Sequence, residues 1–251
     1  MIAPLAALSF LTRLPVGKHP RREEIAASIG WFPAVGLVLG VLVLVVDRIT
    51  MRALPPPAVD VLLVVTLAAL TGALHLDGLA DTFDGLFGGY TPERRLQIMR
   101  DVQTGTFGVV AVVSVLALKW AGFNALPSDV RVEAILLAPC AARFAILPAI
   151  AAFPYARDGV GAGYREHAAA GLVLGAVTMV AAAAVLLGFG GVTVIALALA
   201  CGLGIGWLAS RMVGGVTGDI FGAIVEVSEA FALLLIAALA RREWIDAWLF
   251  G

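Results

Sequence analysis

Seven apolar runs, each near the length needed to cross a bilayer, constrain the fold of this chain more than any other feature. A transmembrane helix needs about 20 predominantly apolar residues. The runs lie at 30–46, 58–75, 107–126, 133–153, 170–188, 191–210 and 220–240. Some of them have only 17–19 residues, so six or eight spans are also possible. We therefore predict an all-α fold: a polytopic transmembrane helix bundle of about seven spans, forming a single domain over residues 1–251.

The composition supports a membrane protein and excludes other classes. Of 251 residues, 61% are hydrophobic and 14% are charged, whereas about a quarter of the residues in a soluble domain are charged. So little charge cannot cover a globular surface. The formal net charge of −1 argues against nucleic acid as a partner, because a nucleic-acid binder would show a basic face. Cys140 and Cys201 both lie in apolar runs, which is typical of packing residues rather than of a disulfide framework.

Paired glycines predict close contacts inside the bundle. They recur at four-residue spacing in three of the apolar runs, as Gly36/Gly40, Gly171/Gly175 and Gly202/Gly206. Small residues at this spacing let two helix backbones approach each other closely. We interpret these pairs as packing glycines with no direct functional role.

The distribution of basic residues predicts the orientation. With seven spans and the N-terminus inside, ten basic residues lie in inside segments and five in outside segments. The inside group is Arg13, Lys18, Arg21, Arg22, Arg94, Arg95, Arg100, Arg157, Arg165 and Arg211, and the outside group is Arg48, Arg52, Arg131, Arg241 and Arg242. The positive-inside rule then places the segment between the second and third runs in the cytoplasm. Arg241 and Arg242 fit this orientation less well than the others.

The most polar stretch of the chain, residues 72–108, contains three aspartates on one helical face. Asp77, Asp81 and Asp84 are spaced i, i+4, i+7, so at about 100° per residue they point to one side and an apolar face lies opposite. Three carboxylates this close repel one another, and a bound cation would relieve that repulsion. Clusters that offer only oxygen ligands suit a hard cation such as Mg²⁺ carrying a substrate phosphate. The spacing therefore predicts a metal site.

The same stretch predicts a helical hairpin. Gly88–Gly89 ends the aspartate helix, and Thr91–Glu93 supplies the cap, first-turn proline and acidic first turn of a second helix that runs to about Gln103. We expect the two helices to form a cytoplasmic catalytic hairpin over 76–106 on the membrane face.

Polar residues near the end of this hairpin are candidates for phosphate binding. Arg100 and Asp101 lie just before a Thr-Gly-Thr turn, where backbone N–H groups and hydroxyls can meet phosphate oxygens. The predicted phosphate contacts are Arg100, Asp101, Thr104 and Gly105. Arg94 and Arg95 are either contacts of this kind or only a topology signal and a contact to anionic lipid.

A second acidic segment begins at residue 214, where a glycine-rich GGVTGD sequence opens the last apolar run. Asp219, Glu226 and Glu229 fall within one side of the helix. Ionisable groups inside a span are costly and usually face a polar interior site. Glycines also let a backbone approach a ligand closely, which makes Thr217 and Gly218 candidates for substrate binding.

Other ionisable residues leave two interpretations open. His75 lies about 160° from Asp77 on the helical wheel and is either a base or a border residue. Arg143, within a predicted span, is either an interior partner for phosphate or a snorkelling border residue. Lys119 is expected to snorkel at the far end of its span. Border positions are also expected for Asp47, Asp60 and Glu133.

Several of these motifs together resemble the cobalamin synthase family of adenosylcobinamide-GDP ribazoletransferases. They are FLTRLP at 10–15, Trp31-Phe32-Pro33 with Gly36, HLDGLADTFDGLFGG at 75–89, RRLQIMRD and GTFG within 94–108, and GGVTGDIFGAIVE at 214–226. Each motif is weak alone, but their order along nearly the whole chain is highly specific. Val102-Gln103 departs from the more polar pair that the family leads us to expect.

The resemblance implies a Mg²⁺-dependent transferase of substituted phosphate groups in the bacterial inner membrane, with its active site facing the cytoplasm. Such an enzyme joins adenosylcobinamide-GDP to α-ribazole or α-ribazole 5′-phosphate and releases GMP. This reaction is the last step in the assembly of the cobalamin nucleotide loop. A homo-oligomer is compatible with this assignment.

The implied reaction suggests roles for the acidic residues, because phosphoryl transfer depends mainly on positioning and charge neutralisation. The expected metal ligands are Asp77, Asp81, Asp84, Asp219, Glu226 and Glu229. Those of the second segment would bind a second metal or act as the base for the attacking hydroxyl. The expected catalytic residues are Asp77, Asp81, Asp84, Asp219 and Arg100, with Arg100 clamping phosphate.

Two other functions remain as alternatives. A CDP-alcohol phosphatidyltransferase would show Ala-Arg shortly after its first Asp-Gly, but Asp77-Gly78 is followed by Leu-Ala-Asp. An ion-coupled transporter would commonly show inverted repeats, and the segments 77–108 and 214–229 do not resemble each other.

Overall fold

A computed structural model describes residues 1–17, 19–156 and 163–245. These residues form α-helices joined by short turns, which confirms the predicted all-α fold. The helices are α1 Ala3–Leu11, α2 Arg22–Ala26, α3 Phe32–Thr50, α4 Pro56–Thr71, α5 Leu74–Gly88, α6 Pro92–Ile98, α7 Thr106–Ala125, α8 Arg131–Phe144, α9 Ile146–Ala152, α10 Tyr164–Leu187, α11 Gly191–Val213 and α12 Gly218–Arg241. Lys18 and Arg157, two of the predicted inside charges, lie outside the described residues.

Several of these helices are long and apolar enough to cross a membrane. Five such stretches occur in the described part of the chain: Ile29–Thr50, Thr106–Ala125, Arg131–Ala152, Tyr164–Val213 and Gly218–Arg241. A sixth is possible if α4 and α5, which meet at 90°, form one broken span. The stretch Tyr164–Val213 contains α10 and α11, which pack against each other. The predicted count of about seven, which needs these two helices to cross separately, stays a prediction.

The second predicted run, 58–75, does not form one straight helix. Gly72 and Ala73 both have left-handed backbone conformations, with φ of 61° and 57°, and they turn the chain between α4 and α5. A non-glycine residue in this conformation is uncommon. Gly72 adopts this conformation without strain because it has no Cβ, and together with Ala73 it lets the chain bend sharply within an apolar sequence.

Helix α8 is the centre of the bundle, since every residue in it except Leu136 is buried. Helix α3 packs along it through the predicted glycine pair. A Cβ on Gly40 would lie 2.8 Å from the Ile135 carbonyl oxygen, and one on Gly36 would collide with the Pro139 carbonyl. A Cβ on Gly202 would likewise collide with the Ala145 carbonyl oxygen. These contacts confirm the interpretation of the paired glycines as packing residues.

Two groups of buried charges hold the bundle together. In the first, which we call the Arg131 cluster, the Arg131 guanidinium pairs with Asp47 at 2.8 Å and Asp60 at 2.7 Å. It joins α3, α4 and α8. Asp47 and Asp60 are 1% and 0% exposed, so both carboxylates are paired inside the bundle, and their expected place at the membrane border stays a prediction. Glu133 is equally buried, at 0%.

The second group, which we call the Lys119 cluster, joins α7, α8 and α12. The Lys119 ammonium lies 2.6 Å from a Glu226 oxygen and 2.8 Å from a Glu229 oxygen. Arg143 pairs with the other oxygen of Glu229. Lys119 and Arg143 are 3% and 1% exposed. Neither residue snorkels to a membrane border, because each has its counter-charge inside the bundle.

Candidate active site

The site forms where α5 crosses α12, because two glycines let the helix backbones touch. A Cβ on Gly78 would lie 2.8 Å from the Asp219 carbonyl oxygen, and one on Gly222 would lie 2.9 Å from the His75 carbonyl oxygen. Two helices with larger side chains at these positions could not approach so closely. The crossing therefore brings Asp77, the residue before Gly78, close to the start of α12.

Asp77 and Asp219 line one cavity of about 180 Å³ at this crossing. We call it the acidic cavity. Gly218 and His75 also line it, and its apolar wall includes aromatic rings from α1, α3, α10 and α12. Those rings belong to Phe10, Phe32, Tyr164 and Phe221. Two of the carboxylates that the sequence assigned to one site, from segments over a hundred residues apart, thus share a cavity.

The first turn of α12 orients Asp219. The Thr217 hydroxyl donates to an Asp219 carboxylate oxygen over 3.3 Å and accepts from the Ile220 N–H over 3.4 Å, which caps the helix. The Gly218 N–H donates to the Tyr155 hydroxyl over 3.0 Å. Thr217 is fully buried, so it positions Asp219 and the helix start. The prediction that Thr217 binds substrate directly is not supported by this geometry.

Asp84, two turns further along α5, has a different environment. Its two carboxylate oxygens accept hydrogen bonds from the Gly105 N–H at 2.6 Å and the Gly108 N–H at 2.8 Å. Asp84 is 7% exposed. It acts as a cap on the first turn of α7, supplied from a neighbouring helix, where a negative charge is favourable.

The GTFG motif is explained by the same contact. A Cβ on Gly105 would lie 2.5 Å from one Asp84 oxygen, and a Cβ on Gly108 would collide with the other. The turn was expected to offer its N–H groups to phosphate, but it offers them to the protein's own carboxylate. The predictions that Gly105 contacts phosphate and that Asp84 is a metal ligand stay predictions.

The remaining hairpin residues lie away from the acidic cavity. Asp101, Thr104 and Gly105 line a second cavity of about 330 Å³ together with Asp84. Arg100 is exposed and is not among the residues that line either cavity. Asp81, one turn after Asp77, is half-buried. The predicted phosphate contacts of the hairpin therefore do not line the acidic cavity that Asp77 and Asp219 share.

The helices of the predicted hairpin differ from expectation in detail. Helix α6 ends at Ile98 rather than near Gln103, and α5 is packed between α7 and α12 rather than lying on the surface. Arg95 holds the end of α5, since its guanidinium donates to the carbonyls of Leu86 and Gly89. Whether the pair faces the cytoplasm stays a prediction.

Glu226, Glu229 and Arg143 form buried ion pairs within the Lys119 cluster and do not line the acidic cavity. Both oxygens of Glu229 already have a cationic partner, which argues against a metal role. His75 is 4% exposed, and whether it acts as a base or lies at the membrane border stays a prediction. Within the described residues neither of its ring nitrogens has a hydrogen-bond partner, and it lies within electrostatic range of Lys119, Arg143 and Glu229.

The residues of the acidic cavity fit a Mg²⁺ ion that is bound partly by the protein and partly by water and substrate. Among residues 1–17, 19–156 and 163–245, no three His, Cys, Asp or Glu side chains are grouped so that they could hold a metal ion. A cage made only of protein ligands is therefore not formed. Mg²⁺ is more often bound by one or two carboxylates, with waters and substrate phosphates completing the octahedron. Asp77 and Asp219 in one cavity match that arrangement.

Sequence reasoning missed the aromatic wall of the acidic cavity. Phe10 and Phe32 belong to motifs that carry the family resemblance, yet nothing in their local sequence indicates a cavity. Tyr164 and Phe221 come from helices far apart in the chain, and their rings lie 6.1 Å apart. No periodicity in the sequence relates the two positions, so only the assembled fold brings them together.

The fold and this site define a polytopic helical membrane protein whose acidic cavity lies at a helix crossing. Comparison with known proteins identifies the family, since the family model described as cobalamin-5-phosphate synthase matches residues 3–237. The chain belongs to this family, and the resemblance seen in its motifs is confirmed.

Individual relatives carry a consistent name. A protein of Syntrophobacter fumaroxidans named adenosylcobinamide-GDP ribazoletransferase is 42% identical over 243 residues, covering 92% of this chain and 96% of the relative. Proteins with the same name from Roseiflexus sp. and Desulforamulus reducens are 40% and 37% identical, covering 95% and 92% of this chain and 90% and 94% of their own lengths. No solved structure matches the chain.

Proposed function

We propose that this protein is an adenosylcobinamide-GDP ribazoletransferase. It joins adenosylcobinamide-GDP to α-ribazole or α-ribazole 5′-phosphate and releases GMP. The family membership supports the reaction. The observation that carries the assignment of the site is that Asp77 and Asp219, from two motifs of the family resemblance, line one cavity.

The proposed reaction needs a site that neutralises a diphosphate. A hydroxyl of the acceptor ribose attacks the phosphorus that stays with cobinamide, the bond to the bridging oxygen breaks, and GMP leaves with that bond's electron pair. The protein's task in such transfers is mainly to position the reactants and offset negative charge. Asp77 and Asp219 would hold Mg²⁺, which neutralises charge on the diphosphate oxygens when bound.

The other residues of the site act by position. Thr217 keeps the Asp219 carboxylate oriented through its hydroxyl hydrogen bond. The start of α12, at Gly218, directs the positive end of the helix dipole into the acidic cavity, where it favours an anion. Asp81, half-buried one turn from Asp77, stays a candidate third ligand. The aromatic wall excludes water from one side of the cavity and offers flat faces for a heterocyclic base.

The proposed location is the bacterial inner membrane, with the acidic cavity open to the cytoplasm. The excess of basic residues in the predicted inside segments supports this orientation. The length and hydropathy of the described helices support a multi-pass protein.

A transfer assay on detergent-purified protein tests the proposal. Adenosylcobinamide-GDP, α-ribazole 5′-phosphate and MgCl₂ are supplied, and both the corrinoid product and GMP are quantified by chromatography. We expect equimolar product and GMP, loss of both with EDTA, and recovery when excess Mg²⁺ is added.

The alternative functions are tested in the same preparation. A CDP-lipid donor should release no CMP, whereas a phosphatidyltransferase would release it. Detergent removes any ion gradient, so product formation there cannot come from a coupled transporter. Absence of GMP with folded protein and both substrates would contradict the proposed function.

A further inference from the structure

A larger cavity adjoins the acidic cavity and has no assigned role. Its volume is about 470 Å³, and it is lined by the end of α1, described residues of the segment after it, Ile25 of α2, and the turn between α4 and α5. Phe10 and Leu74 line both cavities, so the two share a wall. Small-molecule sites commonly have volumes of about 300–1,000 Å³. The space is therefore large enough for a substantial part of a nucleotide.

Among the described residues that line this cavity, Arg13 carries a permanent positive charge, and we call the space the Arg13 cavity. Its backbone is fixed, since the Arg13 N–H donates to the Leu70 carbonyl over 2.8 Å. The preceding residue, Thr12, donates through its hydroxyl to the Leu8 carbonyl over 2.6 Å and accepts from the Leu14 N–H over 3.2 Å. These bonds hold the segment against the end of α1.

The Arg13 side chain is exposed and runs along the α4–α5 turn. A Cβ on Gly72 would collide with its Nε atom and lie 2.6 Å from its Cγ atom. Gly72 also has a φ of 61°, so the turn favours glycine for two reasons. The backbone bond to Leu70 and the contact with Gly72 together bring Arg13 into the cavity wall.

The charge of Arg13 is not balanced by the part of the protein that the structure describes. Arg131, Arg143 and Lys119 each pair with carboxylates inside the bundle. Within residues 1–17, 19–156 and 163–245, no ion pair joins Arg13 to a carboxylate. A guanidinium in a cavity wall with no carboxylate partner among the described residues is suited to bind a phosphate group through two parallel N–H···O bonds.

We propose that the Arg13 cavity is a phosphate subsite for the nucleotide substrates, in which the Arg13 guanidinium binds phosphate oxygens next to the acidic cavity. This inference rests on the proposed function and extends it. The proposed chemistry brings two separate phosphate-bearing groups together: the diphosphate of the donor and the 5′-phosphate of the phosphorylated acceptor. Asp77 and Asp219, with a cation, suit the diphosphate, and a second phosphate then needs a cationic subsite of its own.

Steady-state kinetics of an Arg13→Gln variant test the proposal, with α-ribazole 5′-phosphate and unphosphorylated α-ribazole as alternative acceptors. Loss of a charge-assisted bidentate contact should raise the relevant KM by about 10- to 100-fold. If Arg13 binds the acceptor's phosphate, only the KM for the phosphorylated acceptor rises. If it binds the donor, the KM for adenosylcobinamide-GDP rises with either acceptor. Both results support a phosphate subsite and identify its source.

Arg22→Gln is the matched control, because Arg22 is exposed near the same segment and does not line the cavity. If Arg13→Gln has the same KM values as Arg22→Gln for all three substrates, Arg13 contacts no substrate phosphate. A contact to lipid phosphate would give that result, and the proposal would be overturned. Wild-type protein that makes no product would instead contradict the proposed function, so the two failures are distinguishable.

Two further measurements keep the proposal testable if Arg13→Gln does not fold. Gly72→Ala retains the guanidinium but adds a methyl group that would collide with Nε, so it should displace the side chain and raise the same KM. On the wild-type enzyme, inorganic phosphate should compete with the substrate whose phosphate occupies the subsite. If Arg13 binds the acceptor, phosphate competes with α-ribazole 5′-phosphate but not with α-ribazole. No competition with any substrate would count against the subsite.

Discussion

At the level of single residues, Asp77 and Asp84 show how one helix gives the same side chain two roles. Asp77 lies at the acidic cavity, where it can meet a ligand. Asp84 is buried and gives both oxygens to backbone N–H groups at the start of α7. The spacing of the aspartates is visible in the sequence. Their separation into a ligand site and a helix cap is not, because it depends on where α7 begins relative to α5.

The first prediction separates these roles. Asp77→Asn should weaken Mg²⁺ activation, raising the Mg²⁺ concentration for half-maximal activity by about tenfold or more, while the melting temperature stays within a degree or two of wild type. Asp84→Asn should lose an oxygen acceptor and a charge at the start of α7, lowering the stability by about 1–2 kcal/mol. Its Mg²⁺ dependence, measured well below its melting temperature, should be unchanged.

Activity titrated with Mg²⁺ and thermal unfolding in detergent check both variants. Asp81→Asn, measured in the same way, decides whether the half-buried third aspartate belongs with Asp77. A shift of the Mg²⁺ dependence in Asp84→Asn but not in Asp77→Asn would reverse the assignment.

The second prediction concerns the Lys119 cluster, in which two cations and two anions are buried together. Removing one member leaves an uncompensated charge inside the bundle, which typically costs about 3–5 kcal/mol. We expect Lys119→Met to lower the melting temperature strongly. Combining it with Glu226→Gln removes the carboxylate that lost its partner and should recover part of the loss. Purely additive losses in the double variant would show that the two residues do not depend on each other.

Sequence reasoning identified Glu226 and Glu229 as unusual but did not find their cationic partners inside the protein. A charged residue in an apolar run must be compensated, and a cation carried by substrate is one solution. Lys119 and Arg143, from two other spans, provide another. Each of these residues looks unremarkable in its own segment, since a lysine near the end of a span normally snorkels. Only the packing of α7 and α8 against α12 reveals the pairing.

At the level of helices, the crossing of α5 and α12 determines the site. Gly78 and Gly222 each face the backbone of the other helix, so the separation of the helices is set by the missing side chains. Both helices and their acidic residues were predicted from the sequence, and we interpreted the glycines of the 214–222 segment as leaving space for a ligand. In the structure, Gly222 instead packs against the backbone of α5.

The third prediction tests this crossing. A Cβ on Gly222 would lie 2.9 Å from the His75 carbonyl oxygen and 3.1 Å from the Gly78 Cα atom, so Gly222→Ala should push the helices apart by a few tenths of an ångström. Asp77 and Asp219 would then be misplaced relative to each other. Because misplacement by about 1 Å can cost about a hundredfold in rate, we expect kcat to fall by about tenfold.

Gly204→Ala is the matched control for that variant. Gly204 is also within a candidate membrane-spanning helix, but a Cβ there would meet no atom of the described residues within 4 Å. Both substitutions raise helix propensity by a similar amount, about 1 kcal/mol, so a difference in kcat between them reports the crossing. Equal kcat values for the two variants would mean that the contact at Gly222 does not position the site.

The bend between α4 and α5 shows the limit of prediction at this scale. The apolar run 58–75 continues through Thr71 and beyond with no loss of hydrophobicity. The sequence therefore predicts one continuous span over this run. Gly72 is a weak signal, since glycine is common in transmembrane helices. Ala73 gives no signal for its left-handed conformation. The 90° bend depends on the packing of α5 against α12, which the local sequence does not encode.

At the level of the whole molecule, the buried charges are placed at both ends of the central helix α8. Arg131 begins this helix and Arg143 lies twelve residues later, which is about 18 Å along the axis. Each arginine binds carboxylates from other helices. Apolar contacts alone are poorly specific in a bilayer, because lipid is as apolar as the helix surfaces. Two ionic clusters at separate levels therefore select one arrangement of the bundle.

Orientation is also a property of the whole molecule, and it gives the last prediction. The polar connections carry more basic residues on one predicted side than on the other, which places Arg13 and the Arg94–Arg95 pair inside and the connection after α3 outside. A donor containing GDP would be supplied from the cytoplasm, and both cavities lie next to segments predicted to be inside. Ala53 and Glu93 are exposed positions in connections on opposite predicted sides.

Cysteine labelling decides the orientation. In a background where Cys201 is replaced by serine, and with Cys140 buried, Ala53→Cys should react with a membrane-impermeant maleimide in intact cells. Glu93→Cys should react only after the membrane is permeabilised. Transfer activity of both variants provides the check that they are folded. The reverse pattern would place the acidic cavity on the side without nucleotide, so the proposed function would then need a different route for its donor.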